Sequence, residues 1–342
     1  MFDRVRALTD EHLAALGPLI DARAARGVPR DGHGDLHLDH VYHFPDRPPP
    51  GDLVAIDCVE FGERFRSADP VADAAFLAMD LAFRGRRDLA GAFVDAYVRA
   101  SGDAEGRTLF PFYTAYRAVV RAKVEGLTLR EPEVPAADRE ANRRLAQGHW
   151  LLALGELEAP GRRPALVLVS GLPGAGKSTL ARVLAADGFD LVRTDVIRKE
   201  VVPADLPRAT LGEGAYAPEW TGRVYAECLR RAEAGLLAGR RVLVDANLRD
   251  DATRRPFAEQ ADRLAVPVVL IVCEVSPEVA RGRLDGRRGD ASDAGWAVYR
   301  WAASRWQEPG PDWGARLLRV STASESAAEA VRRRLRAERL LD

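Results

Sequence analysis

The octapeptide GLPGAGKS, residues 171–178, places a lysine and a serine behind three glycines at the spacing G-x-x-x-x-G-K-S. Glycines at this spacing let successive backbone N–H groups turn inward and form an anion nest. An apolar stretch, ALVLVS, precedes the octapeptide and a helical pattern, KSTLARVLAADG, follows it. A helix starting near Lys177 would aim the positive end of its dipole at the bound anion. The predicted phosphate cradle is Gly171, Pro173, Gly174, Ala175, Gly176, Lys177, Ser178 and Thr179. Lys177 would reach the β/γ-phosphates of a nucleotide triphosphate, and the Ser178 hydroxyl would ligate Mg²⁺. ATP and Mg²⁺ are therefore the expected cofactors.

Three later segments bear on what is done with the phosphate. RTDVIRKE sets Asp195 at the end of a short strand pattern, with Arg198 one helical turn on. In an open α/β sheet, ligands gather at the carboxyl ends of the strands. A carboxylate there can take a proton from a substrate hydroxyl and orient it towards the γ-phosphate. Equally, Asp195 has the residue type of a helix N-cap. RVLVDAN ends a second apolar run on Asp245, which reads either as a carboxylate for Mg²⁺ or as another cap; Asn247 follows it. RGRLDGRRGDASDA supplies Arg281, Arg283, Arg287 and Arg288. Mobile arginines can close over phosphates and exclude water, with Arg283 and Arg287 as the named candidates. A solvated Arg-rich helix is the competing reading.

The elements needed to hold these residues are legible as a pattern. From residue 164 onward, strand and helix patterns alternate, which predicts a parallel sheet covered on both faces. Residues 3–26 read as one helix. LHLDHVYHF and LVAIDCVEF, separated by the turn PDRPPPGD, read as a hairpin-like pair. Residues 70–155 read as helical, with breaks near Gly85, Gly102 and Gly126. The segment EAPGRRP marks a linker, giving expected domains of 1–158 and 164–342.

With 342 residues, 47% of them hydrophobic and 30% charged, the chain can build two packed cores. Fifty Lys and Arg balance 51 Asp and Glu. That leaves no global attraction for nucleic acid or anionic membrane, while a local basic groove stays open. Cys58, Cys228 and Cys273 are far apart and fit no metal spacing. The N-terminus lacks an apolar signal core, and no run approaches a membrane span, so a cytoplasmic protein is expected. Oligomeric state is left open.

On GLPGAGKS, TDVIR and the Arg-rich segment, residues 164–342 resemble the P-loop kinases of small molecules and polynucleotide ends, the gluconate kinase and zeta-toxin group. Chains of this kind also go under the label of AAA family ATPases. The resemblance implies a doubly wound α/β domain with strand order 2-3-1-4-5. It also implies transfer of the ATP γ-phosphate to a hydroxyl, the small-molecule acceptor unidentified. Polynucleotide 5′-hydroxyl kinase, nucleotide-sugar kinase and nucleotide-dependent switch remain as alternatives. Residues 33–61 resemble the catalytic and metal loops of the aminoglycoside phosphotransferase and choline kinase family. The resemblance matches Asp35 of HGDLH to the catalytic base and Asp57 of AIDCVEF to the metal Asp; His40 stands where that family has Asn. His33 and His37 flank the base. Only residues 1–32 precede His33, so the first domain is expected to be a truncated, mostly helical, protein-kinase-like C-lobe. In it the loop persists as scaffold or binding surface.

Overall fold

The computed structural model describes residues 1–206, 213–286, 295–324 and 326–342. These form two compact units, Met1–Glu158 with Asp262–Val266, and Ala159–Ala261 with Pro267–Asp342.

The first unit opens on helix α1 (Phe2–Ala25) and continues through β1 (Arg30–Asp31), β2 (Val41–His43), β3 (Leu53–Ala55) and β4 (Ser67–Ala68). β2 and β3 pair antiparallel, as the turn signal between them implies, and β1 pairs with β4. LHLDH is not strand: residues Leu38–His40 form a 3₁₀ turn. Four helices follow, α2 (Pro70–Phe83), α3 (Arg87–Ser101), α4 (Phe110–Thr128) and α5 (Ala136–Leu157). The breaks near Gly85 and Gly102 are present, but α4 runs straight through Gly126. One glycine costs a helix only about 1 kcal/mol, and α4 is packed against α5 and α2. The helix ends instead ahead of the 130–135 connection, where Pro135 caps α5.

Arg23, only 2% exposed, ties the end of α1 to two other elements. Its guanidinium donates to Asp69, which caps α2, and to Asp103 in the α3–α4 connection, at 2.6–3.0 Å. The Arg23 hydrogen bonds hold the Asp103 carboxyl below its usual pKa. A depressed carboxyl adds stability above the unfolded pKa and loses it as pH falls through the folded one. Arg23→Ala, which strands the carboxylates, should destabilise this unit by about 3 kcal/mol at neutral pH. The deficit should shrink as the solution is acidified, measured by urea unfolding across pH.

The second unit alternates strand and helix: β5 (Ala165–Ser170), α6 (Lys177–Ala185), β6 (Asp190–Arg193), α7 (Thr194–Val201), α8 (Pro218–Leu237), β7 (Arg241–Asp245), α9 (Asp251–Arg263), β8 (Val268–Glu274), α10 (Pro277–Asp285), α11 (Trp296–Ala303), β9 (Leu317–Ser321) and α12 (Ala327–Ala337). The five strands are all parallel, in the order β6-β7-β5-β8-β9. Counted within the unit this is 2-3-1-4-5, a P-loop α/β fold. Every residue of β5 and β7 is buried, which is why both read as unbroken apolar runs. Leu180, Ala181 and Leu184 of α6 and Val331 and Leu335 of α12 share one core with β5, β8 and β9. The Arg-rich tail is therefore an amphipathic helix with a packed face. No helix among the described residues is long and apolar enough to cross a membrane.

Candidate functional site

The loop between β5 and α6 is held from both sides. On one side the Ser170 hydroxyl donates to Asn247 O at 2.9 Å, and the Gly171 N–H donates to the same carbonyl at 3.3 Å. On the other, the Thr322 hydroxyl, just past β9, donates to Ala175 O at 2.6 Å. Arg283 of α10 donates to Thr322 O at 2.6 Å and to Gly174 O at 3.4 Å. Arg283 thus braces the loop backbone in this structure. Arg281 faces Asp285 at 3.8 Å; Arg287 and Arg288 lie outside the described residues. Lys177 opens α6, and its ammonium is folded back onto Leu172 O at 3.0 Å. Ser178 and Thr179 follow in the first turn, half-buried and exposed. Pro173, Gly174 and Ala175 are buried in the loop wall.

Asp195 lies one step further on than the sequence pattern suggests. β6 ends at Arg193, and Asp195 is the second residue of α7, whose N-cap position is Arg193 with no capping side chain. The helix-cap reading of Asp195 is therefore corrected: it sits in the first turn, where a carboxylate favours the helix dipole. The Thr194 hydroxyl donates to Asp245 O at 3.2 Å, joining the start of α7 to the end of β7. Arg198 donates to Ala215 O at 2.7 Å and stacks over Tyr216. Asp245 is 4% exposed and accepts from Arg193 Nε at 3.2 Å. Asp251 begins the next helix, six residues later, so Asp245 is not its cap either. The sheet register pairs Asp245 with Val169, next to the strand that feeds the loop. Asn247 contributes its backbone carbonyl, with its side chain exposed. Burial pushes the Cys228 and Cys273 thiols up to about 12, as expected of core residues without thiolate chemistry.

In the first unit, the His33–His40 loop hangs on two carboxylates of α2. Asp73 accepts from His33 N at 2.6 Å and Gly34 N at 3.0 Å, and Asp80 accepts from Leu38 N at 2.9 Å. His33 Nε2 donates to Ile56 O at 2.7 Å, leaving Nδ1 to accept from Asp35 N. His40 Nδ1 donates to Asp35 O at 2.9 Å. His37 is buried beside Phe76, and burial pushes its imidazole below the usual pKa, against the pull of Asp35. Asp57, placed by a left-handed backbone (φ 62°), brings Oδ2 to 3.4 Å from His40 Nε2. The loop also borders a cleft of about 400 Å³ whose walls include Phe65, Phe93, Tyr97 and Arg117.

Comparison with known proteins bears on the second unit most directly. Residues 166–309 match the AAA domain family. An uncharacterised protein of Mycobacterium tuberculosis, and its counterpart in Mycobacterium bovis, are 35% identical over 295 residues. That alignment covers 85% of this chain and 57% of each relative, so the chain spans little more than half their length. Among solved structures, a sugar kinase from Janibacter sp. overlays 51% of this chain and 95% of its own, with 18% identity and a TM-score of 0.41. A gluconokinase from Sinorhizobium meliloti overlays 52% of this chain and 91% of its own, with 16% identity and a TM-score of 0.37.

The AAA domain span contains the loop, Asp195, Asp245 and Arg283, but ends before Thr322, the residue that closes the loop from β9. Thr322, Arg193, Asp73 and Asp80 were not singled out by the sequence patterns, because each acts through a contact with a residue distant in sequence. Gly171 shows how tightly the loop is built. It has φ +140°, and a Cβ there would lie 2.5 Å from Cys273 O. Gly171→Ala therefore combines a clash with backbone strain and should cost about 2 kcal/mol or more. Thermal melting should show the loss, and nucleotide binding should weaken with it.

Proposed function

We propose that the second unit is an ATP-dependent phosphotransferase that moves the γ-phosphate to a hydroxyl of a small molecule. The observation that carries this reading is the loop at residues 171–178. Asn247 and Thr322 hold it by hydrogen bonds, with Lys177 at the helix start and Asp195 in the first turn of the helix after edge strand β6. The AAA domain match over 166–309 supports the nucleotide part. Asp195 is assigned as the base that orients the acceptor hydroxyl, Arg198 as a positioning group held by Ala215 and Tyr216. Ser178, in the first turn of α6, and Asp245, at the end of β7 beside β5, offer hard oxygen donors, a set that suits Mg²⁺. Bound there, the ion would neutralise charge on the β- and γ-phosphate oxygens.

Residues 1–158 are proposed as a phosphotransferase-like helical domain whose cleft presents a binding surface. The hold of Asp73 on the His33–Gly34 backbone supports a preserved loop. The test is ATP consumption by the full chain across a panel of hydroxyl acceptors, with phosphorylated product identified by mass spectrometry. Sugars, aminocyclitols, a nucleotide sugar and a 5′-hydroxyl oligonucleotide form the panel. Product on a sugar or aminocyclitol supports the proposal; product only on the oligonucleotide or the nucleotide sugar moves the acceptor class. Tight ATP binding without any product replaces the kinase with a nucleotide-dependent switch.

A further inference from the structure

The sequence Asp35-x-His37-x-x-His40 brings three ligating side chains into one small volume, each offering an atom within 4.8 Å of the others. The 3₁₀ turn Leu38–His40 does this by bringing the two imidazoles together, ring centres 4.0 Å apart and planes tilted by 39°. Asp35 Oδ2 stands 3.5 Å from His37 Nε2, and Asp57 Oδ2 stands 3.4 Å from His40 Nε2. These separations are too long for good hydrogen bonds between the side chains. They are close to the spacing of two ligands on one tetrahedral ion, about 3.4 Å for bonds of about 2.1 Å. The surrounding hydrogen bonds fix the backbone largely without these side chains: Asp73 and Asp80 hold the N–H groups of residues 33, 34 and 38, and only His40 Nδ1 is engaged, with Asp35 O. His37, 7% exposed, cannot swing away into solvent.

We propose that Asp35, His37 and His40, all in the first unit, form a site for a zinc-class divalent cation. Two imidazole nitrogens and one carboxylate are a borderline donor set. Such a set favours late first-row ions over Mg²⁺, which demands oxygen ligands and octahedral geometry. Three protein ligands leave a fourth position open, to water or to Asp57, whose Oδ2 is 3.4 Å from His40 Nε2. If the ion is held by His40 Nε2, the hydrogen bond from Nδ1 to Asp35 O is kept and fixes the ring, the usual arrangement behind a metal-bound imidazole.

The experiment is titration of the chelator-stripped full chain with Zn²⁺ against a chromophoric chelator, with Mg²⁺ in large excess as competitor. One equivalent of Zn²⁺ should bind, Mg²⁺ should not displace it, and the melting temperature should rise with Zn²⁺. His37→Ala, His40→Asn and Asp35→Asn should each weaken binding by about 100-fold, whereas Lys177→Ala should bind Zn²⁺ as the parent does. His40→Asn alters a partly exposed ring, so it decides the matter if His37→Ala fails to fold. No stoichiometric Zn²⁺ binding, unchanged binding in His40→Asn and Asp35→Asn, or displacement by Mg²⁺ would overturn the site.

Discussion

Lys177→Ala is expected to lower ATP turnover by about a thousandfold while the chain still folds. In the free protein the half-buried ammonium donates to Leu172 O at 3.0 Å. Removing it costs about 1 kcal/mol. The contact itself is informative. It keeps the ammonium at the loop, where an arriving triphosphate would offer oxygen atoms carrying far more charge than a carbonyl. A preorganised donor aimed at charge that grows during transfer contributes about 3–4 kcal/mol to the rate. Lys177→Arg separates charge from shape, since a planar guanidinium does not fit where a compact ammonium sits. It should recover less than a tenth of the parent rate. Turnover by Lys177→Ala at the parent rate would remove the P-loop from the reaction altogether.

How far the sequence reveals this site depends on whether a residue acts alone or through a distant partner. The loop, α6, and the buried strands β5, β7 and β8 are local patterns: glycine spacing, an amphipathic turn, unbroken apolar runs. Each announces itself within ten residues. Asp245 is legible for the same reason, as the last residue of a buried strand. What holds the site in shape is not legible. Thr322 reaches Ala175 across 147 positions, and Asp73 reaches the His33 backbone across 40. Nothing in the spacing around either residue signals those bonds. Arg283 illustrates the reverse case. Its residue type and its glycine-flanked setting suggest a mobile lid, but in the fold its guanidinium is committed to Thr322 and Gly174. Gly126 misleads in the same way, since a glycine facing open space is silent when the rest of its helix is packed.

Asp195→Asn is expected to retain nucleotide binding and to cut phosphoryl transfer by about 10²- to 10⁴-fold, the range for loss of a general base. The geometry makes this substitution clean. Asp195 is not an N-cap, so exchanging its carboxylate breaks no capping hydrogen bond. The first turn of α7 loses one favourable charge at its positive end, about 0.5 kcal/mol. Thr194, which anchors that turn to Asp245 O, is untouched, as is the Arg198 contact with Ala215. Any large change in rate must then come from the carboxylate itself. An amide keeps the shape but cannot take the hydroxyl proton, so KM for ATP should hold while kcat falls. A variant with parent kcat would return Asp195 to the single task of favouring the helix dipole. The base would then have to be sought elsewhere at the carboxyl ends of β6 and β7.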